Sequence, residues 1–187
     1  MKKIILSTLV IITLVSCKKE NQKIDDTVSP KDSISVVDNN GSGNTAYISK
    51  EILPNNIGDY LAKNNDTLYV TNFFATWCGP CMKEIPHFKK KMEELKGKPV
   101  KFTFVNLDDQ SEWNTSVKKF AEENDLAKNI VLLDGKKLDQ NFFPKNFKQW
   151  DGGSIPFTYM RKGTKTDESL GMMSEELLDS KISSFLK

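Results

Sequence analysis

The chain has 187 residues, 38% apolar and 28% charged, with a mean hydropathy of −0.46. That length and balance suit one soluble domain with unfolded appendages. The formal net charge of +2 comes from Lys2 and Lys3; beyond residues 1–16 there remain 25 basic and 25 acidic residues. This near-neutral balance leaves no electrostatic case for a nucleic acid or an anionic membrane surface as partner.

Taken in chain order, Met1-Lys2-Lys3 is a short basic segment, followed by an apolar run from Ile4 to Val15 interrupted only by Ser and Thr. The run is too short to span a bilayer, which takes about 20 residues, and it fits the apolar core of an export signal. It ends in Leu14-Val15-Ser16-Cys17, which resembles the lipobox of bacterial lipoproteins. That resemblance implies cleavage after residue 16, acylation of Cys17 and a lipid-anchored chain facing away from the cytoplasm. Residues 17–45 are Lys, Asp, Asn, Ser and Gly with scattered Ile and Val and no aromatic residue. They are expected to form a flexible tether with a root-mean-square span of roughly 30 Å. The folded domain is expected over residues 46–187.

Within it, Tyr47–Leu53 alternates weakly as a first strand, and Pro54 opens a short helix running to Lys63. Leu68–Phe74 is the strongest strand, apolar on both faces, as in a sheet covered by helices on each side. Ile85, Phe88, Met92 and Leu95 recur at helical spacing, predicting a helix from Cys78 to Leu95 with a kink at Pro86. Val100–Leu107 is the next strand, Trp113 to about Asn124 an amphipathic helix, and Ile130–Leu133 a short apolar strand. This βαβαβ order makes parallel pairing the default. Lys136–Phe147 reads as partly helical and Phe-rich. Phe157–Met160 and Ser169–Met172 form a hairpin turning at Lys162-Gly163, and Ser174 caps a terminal helix to about Leu186.

The chemistry gathers at Trp77-Cys78-Gly79-Pro80-Cys81, where a buried strand passes into a helix. Two thiols two residues apart can close a small disulfide ring, and the partial positive charge of a helix N-terminus favours thiolate. Cys78 and Cys81 are the only cysteines beyond Cys17, so no structural disulfide competes with them. A structural zinc site needs a second ligand pair, and Cys17 with His87 supplies none; no metal and no cofactor are expected.

Trp77-Cys78-Gly79-Pro80-Cys81, with Ile155-Pro156 before a late hairpin, resembles thioredoxin. With the lipobox, Asn72-Phe73-Phe74-Ala75-Thr76 and Glu84-Ile85-Pro86, the chain over residues 47–187 resembles the membrane-tethered thioredoxin-like reductases of the bacterial envelope. These TlpA/ResA-like lipoproteins include members serving cytochrome c maturation. The resemblance implies an α/β thioredoxin fold with a central mixed sheet flanked by helices on both faces. It further implies Cys78 as the exposed nucleophile, Cys81 as the resolving thiol one turn deeper, and Pro156 as a cis-proline facing them. The backbone of Ile155 would pair with substrate, and Trp77, Gly79 and Pro80 would form the contact surface around the thiols. Partners implied are protein disulfides and a membrane-embedded thiol electron donor, with the chain itself a monomer.

Where thioredoxin has a buried Asp six residues before the first cysteine, this chain has Asn72, which cannot titrate. Glu84 stands where envelope members carry a glutamate near the disulfide. It either takes over acid/base work for Cys81 or, as a first-turn acid, merely suits the helix dipole. His87, the lone histidine, reads as a surface residue on an exposed helix face with no catalytic or metal role. Phe142, Phe143, Phe147 and Trp150 read as core packing, with a hydrophobic lip for substrate as the alternative. A disulfide-forming oxidase and a copper-handling thioredoxin-fold module are the competing functions. The second usually spaces its cysteines by three residues and adds a late histidine, and this chain has neither. A peroxidase of the peroxiredoxin branch shares the fold but seldom uses the first cysteine of such a pair.

Overall fold

A computed structural model of the protein describes residues 50–187 except 62 and 64. The expected export signal, Cys17, the expected tether and the start of the expected first strand lie outside the described residues. No helix among the described residues is long and apolar enough to cross a membrane.

The sheet is built on β1 (Leu68–Phe74), every residue of which is buried. Because side chains alternate along a strand, β1 feeds two cores at once. Leu68, Val70 and Phe74 join one cluster and Phe73 the other. β2 (Val100–Asn106) and β3 (Ile130–Leu132) pair parallel on one side of β1. On its other side β4 (Phe157–Lys162) runs antiparallel, followed by β5 (Lys165–Leu170). The order is β3-β2-β1-β4-β5, a mixed five-stranded sheet. On the first face, α2 (Gly79–Glu94) inserts Ile85 and Phe88, α3 (Lys118–Glu123) Ala121, and α5 (Glu175–Leu186) Leu178, Ile182 and Phe185. On the second, α1 (Gly58–Leu61) and α4 (Phe142–Asn146) pack with Phe147 and Trp150 against Phe73, Val105 and Phe157. This is the mixed sheet covered on both faces that the resemblance implies.

Several expected elements differ in extent. Among the described residues, the first strand survives only as a parallel bridge between Glu51 and Leu132, with Ile52 N donating to Leu132 O at 2.8 Å. Pro54, which has no N–H to donate, then starts a 3₁₀ turn over Pro54–Asn56. The return strand of the hairpin covers Lys165–Leu170 rather than Ser169–Met172. Gly163 (φ +56°) makes the turn tight enough to pair Lys162 with Lys165, and Gly171 (φ +81°) ends the ladder. Its charged residues suit an edge strand, which is why apolar alternation does not reveal it. The segment leading into α3 begins as a 3₁₀ turn and a π-turn over Trp113–Val117. α2 is assigned as helix straight through Pro86.

Candidate active site

β1 delivers the chain through Ala75 and Thr76 to Cys78, which occupies the N-cap of α2 with extended backbone (φ −81°, ψ 102°). Pro80 sits in the first turn, where no intrahelical donor is lost. Cys78 and Cys81 form a disulfide with Cα atoms 5.2 Å apart. Cys78 Sγ also accepts from Cys81 N at 3.2 Å. A free N–H of the helix start therefore points at the sulfur on which charge develops.

Cys78 is not exposed as the resemblance implies: it is 4% exposed and Cys81 0%. The Ile155–Pro156 segment, joined by a cis peptide bond, brings Ile155 O to 3.7 Å from Cys78 Sγ and covers the sulfur from one side. The exposed members of the motif are Trp77, at 72%, Gly79 and Pro80. Trp77, Cys78, Pro80, Leu138, Phe143 and Ile155 line a groove of about 810 Å³ that opens beside the disulfide. Gly79 is also on its wall.

The loop carrying Ile155-Pro156 is anchored from below. Trp150 Nε1 donates to Ser154 O at 2.8 Å, and the Trp150 ring stacks on Phe157 at 4.4 Å between centroids. Trp150 and Phe147 are 3% and 5% exposed, so the substrate-lip reading fails for these two and core packing holds. Their aromatic neighbours Phe73 and Phe157 consume the surface that a lip needs free. The half-buried Phe143 ring lies against Gly152, whose φ of +86° and lack of a Cβ permit the approach.

A second anchor was not foreseen. Asp108, buried at the C-terminal end of β2, accepts from Thr76 N and Thr76 Oγ1, each at 2.8 Å, and from Asn106 Nδ2 at 2.5 Å. Its carbonyl accepts from Trp113 Nε1 at 3.2 Å. Parallel strands characteristically present functional groups at this end, and the run Asn106-Leu107-Asp108 just past an apolar strand was the available signal. Asp108→Ala leaves the Thr76 amide and hydroxyl without their acceptor. It is expected to cost about 2–4 kcal/mol, read from urea denaturation, and to slow turnover by loosening Trp77-Cys78.

The polar centre beneath the disulfide is Glu84. It sits one turn beyond Cys81, outside the first turn of α2, so the helix-dipole reading does not apply; like Cys81 it is fully buried. Glu84 Oε1 accepts from Asn72 Nδ2 at 2.7 Å and Oε2 from Met173 N at 2.9 Å. Asn72 projects from the α2 face of β1, between Val70 and Phe74, and register sets Thr158 beside it; its Nδ2 also meets Thr158 Oγ1 at 3.0 Å. Burial raises the Glu84 carboxyl from 4.5 to about 7, against the opposing pull of the Met173 amide, the Asn72 amide and His87. Among the described residues, Asn72 Oδ1 is buried without a partner. Asn72 thus substitutes for a titrating residue by holding one.

His87 is not a free surface residue either. It is half-buried, with Nδ1 3.1 Å from Met173 O. Chain length alone hides this contact, since α2 and the start of α5 are 86 residues apart in sequence.

Residues 59–150 match the Redoxin family. The chain is 30% identical over 113 residues to the thioredoxin-like protein YneN of Bacillus subtilis, covering 59% of this chain and 61% of that one. It is 29% identical over 122 residues to the sporulation thiol-disulfide oxidoreductase A of the same organism, covering 63% and 73%. The match to YneN thus spans less than two thirds of that relative. A thiol:disulfide interchange protein of the thioredoxin family from Chlorobium tepidum superposes with a TM-score of 0.54 at 19% identity, covering 66% of this chain and 82% of that one.

The folded domain has a thioredoxin-like fold. Of the residues singled out in its sequence, Cys78, Cys81, Trp77, Gly79, Pro80, Ile155 and Pro156 come together around one disulfide and one groove. Glu84 joins them from the protein interior rather than from the groove. Cys17 lies outside the described residues. The thioredoxin-like site also recruits Asp108, Thr158 and the Met173 backbone, none of which the sequence singled out.

Proposed function

We propose that the protein is a thiol–disulfide reductase of the cell envelope, anchored by lipid at Cys17 after removal of residues 1–16 and reaching its substrates on the 17–45 tether. The observation that carries the chemistry is the Cys78–Cys81 disulfide capping α2 against the cis Ile155–Pro156 segment, with Glu84 buried one turn below. In the reduced protein the Cys78 thiolate attacks one sulfur of a substrate disulfide. A Cys78–substrate bond forms, and the other substrate sulfur leaves as thiolate and takes a proton. Glu84 receives the proton of Cys81, whose sulfur then attacks Cys78 Sγ and expels the second substrate sulfur. The Cys78–Cys81 disulfide results, and two electrons have passed to the substrate.

Pro156 and Ile155 hold the substrate chain beside Cys78, while Trp77, Gly79 and Pro80 bound the groove. A carboxyl near 7 suits this cycle because it both takes and returns a proton at neutral pH. Recharging requires a membrane-embedded dithiol donor, and cysteines of a cytochrome c precursor are one substrate class the resemblance suggests. Gly-Pro between the cysteines favours reduction over oxidation.

The test is capture with Cys81→Ser, which stalls the cycle at the Cys78–substrate bond. Exported proteins with reducible cysteines are the expected catch. Capture of nothing but a quinone-linked, disulfide-generating membrane protein would instead make the chain an oxidase. For the anchor, labelled fatty acid should enter the wild-type chain and not Cys17→Ser; equal labelling of the two removes the lipoprotein reading.

A further inference from the structure

The stretch Leu170–Met173 connects β5 to α5 and is tied to the site at three points. Gly171 N donates to Pro156 O at 2.9 Å, Met173 N donates to Glu84 Oε2 at 2.9 Å, and Met173 O stands 3.1 Å from His87 Nδ1. Both polar groups of one buried peptide residue are therefore held by side chains one turn apart on α2, its N–H by Glu84 and its C=O by His87. Proximity to a carbonyl requires the proton to be on Nδ1, so His87 is the donor. Beyond Gly171, Leu170 and Met172 stand 50% and 48% exposed, an apolar pair presented beside Pro156.

We propose that His87 is a positioning residue: by holding the Met173 carbonyl it keeps the Met173 N–H on Glu84 and the Leu170–Met172 stretch against Pro156. His87 touches neither sulfur nor substrate; it acts through Met173. Two effects follow. A fixed N–H stabilises the charged form of Glu84, since an amide donor rewards the carboxylate over the acid. The imidazole, when charged, adds to this through space.

The charged groups around His87 do not compete for this bond. On α2, Lys90 is paired with Glu175, and Lys91 with Glu94 and Asp179. From α5, Glu176 is held below the ordinary carboxylate range chiefly by its own amide and the Ser174 hydroxyl, with His87 and Lys90 contributing. Among the described residues, β1 offers Glu84 the neutral Asn72, whose Nδ2 also meets Thr158 Oγ1 of β4.

The inference rests on Glu84 as the proton-handling group, and it is tested without turnover. The full chain, labelled with ¹³C at Glu side-chain carboxyls, is titrated by NMR as wild type, His87→Asn and His87→Leu. Asparagine sets an amide N–H where Nδ1 stood but carries no charge; leucine supplies neither. The Glu84 midpoint is expected to rise in the order wild type, Asn, Leu, with the Met173 amide losing protection from hydrogen exchange in the Leu variant only. A Leu variant that titrates like wild type overturns the proposal. So does an Asn variant indistinguishable from Leu, because the carbonyl bond would then do nothing. Should the Leu variant fail to fold, unequal Met173 exchange between wild type and the Asn variant also overturns it, since asparagine keeps the clamp. Loss of activity in Glu84→Gln belongs to the functional reading and leaves these outcomes unchanged.

Discussion

Replacing Cys78 with serine is expected to reduce disulfide turnover by about 10³-fold or more. Attack on a disulfide requires a thiolate, and a serine hydroxyl at the same N-cap stays protonated at neutral pH. The helix N-terminus that favours negative charge on sulfur offers nothing comparable to an alcohol. Serine remains a good N-cap, able to accept from Cys81 N, so the loss is chemical rather than structural. Insulin reduction with dithiothreitol as donor measures the effect. Cys81→Ser separates the two thiols, because it still performs the first attack and accumulates as a mixed disulfide. Multiple turnovers by Cys78→Ser would assign the nucleophile elsewhere.

Glu84→Gln carries the second large effect, and it has a kinetic and a thermodynamic half. General acid/base help is worth about 10²–10⁴-fold; at neutral pH the variant is expected to turn over about 10²-fold more slowly. Its pH–rate profile should lack the limb near 7 that wild type owes to Glu84. Equal profiles in wild type and variant would remove Glu84 from the mechanism.

For stability, the folded carboxyl lies above the unfolded one, about 7 against 4.5. Between those values the folded state binds more protons than the unfolded chain, so stability falls as pH rises. The favourable contribution is complete below about 4.5 and lost as pH passes through about 7, a difference on the order of 3 kcal/mol. Glutamine has no such slope. Its Oε1 retains the Met173 amide, while its Nε2 meets Asn72, whose side-chain amide turns over to present the now unpartnered Oδ1. The variant is therefore expected to be the more stable protein above pH 7 and comparable at acid pH, as urea denaturation at pH 5 and pH 8 will report. Activity given up and stability gained at one buried position is the usual trade at a proton-handling site.

The same buried position shows how far the sequence can be read. The cysteine pair, its strand-to-helix junction and the terminal helix were legible because each is written in adjacent residues; that Ile155-Pro156 faces the cysteines was implied by the resemblance. An apolar run, a helix start, a proline and a capping serine act locally and need no distant partner. The edge strand β5 was placed late because its residues are charged and its pairing depends on the glycines at 163 and 171.

The environment of each side chain was less legible. His87 and Glu84 share a helix face in any reading, yet only the packing of α2 against the β5–α5 connection brings Met173 between them. Trp150 reads from sequence as core with a rim position as the alternative, and the Phe157 stacking and the Ser154 carbonyl exclude the rim. Asp108 became an anchor because β2 ends level with Phe74, so that Asp108 and Thr76, each two residues further on, meet; parallel register decides that.

By itself the sequence determined the cysteine pair at a strand-to-helix junction, since that follows from local conformation and from what two near thiols can do chemically; the fold class and the cis-proline partner came from the resemblance its motifs carry. Tertiary structure alone decided that Cys78 is covered, that Glu84 titrates near 7 and that His87 faces a buried carbonyl. Burial and hydrogen-bond partners depend on residues far apart in the chain, and proton affinity depends on both.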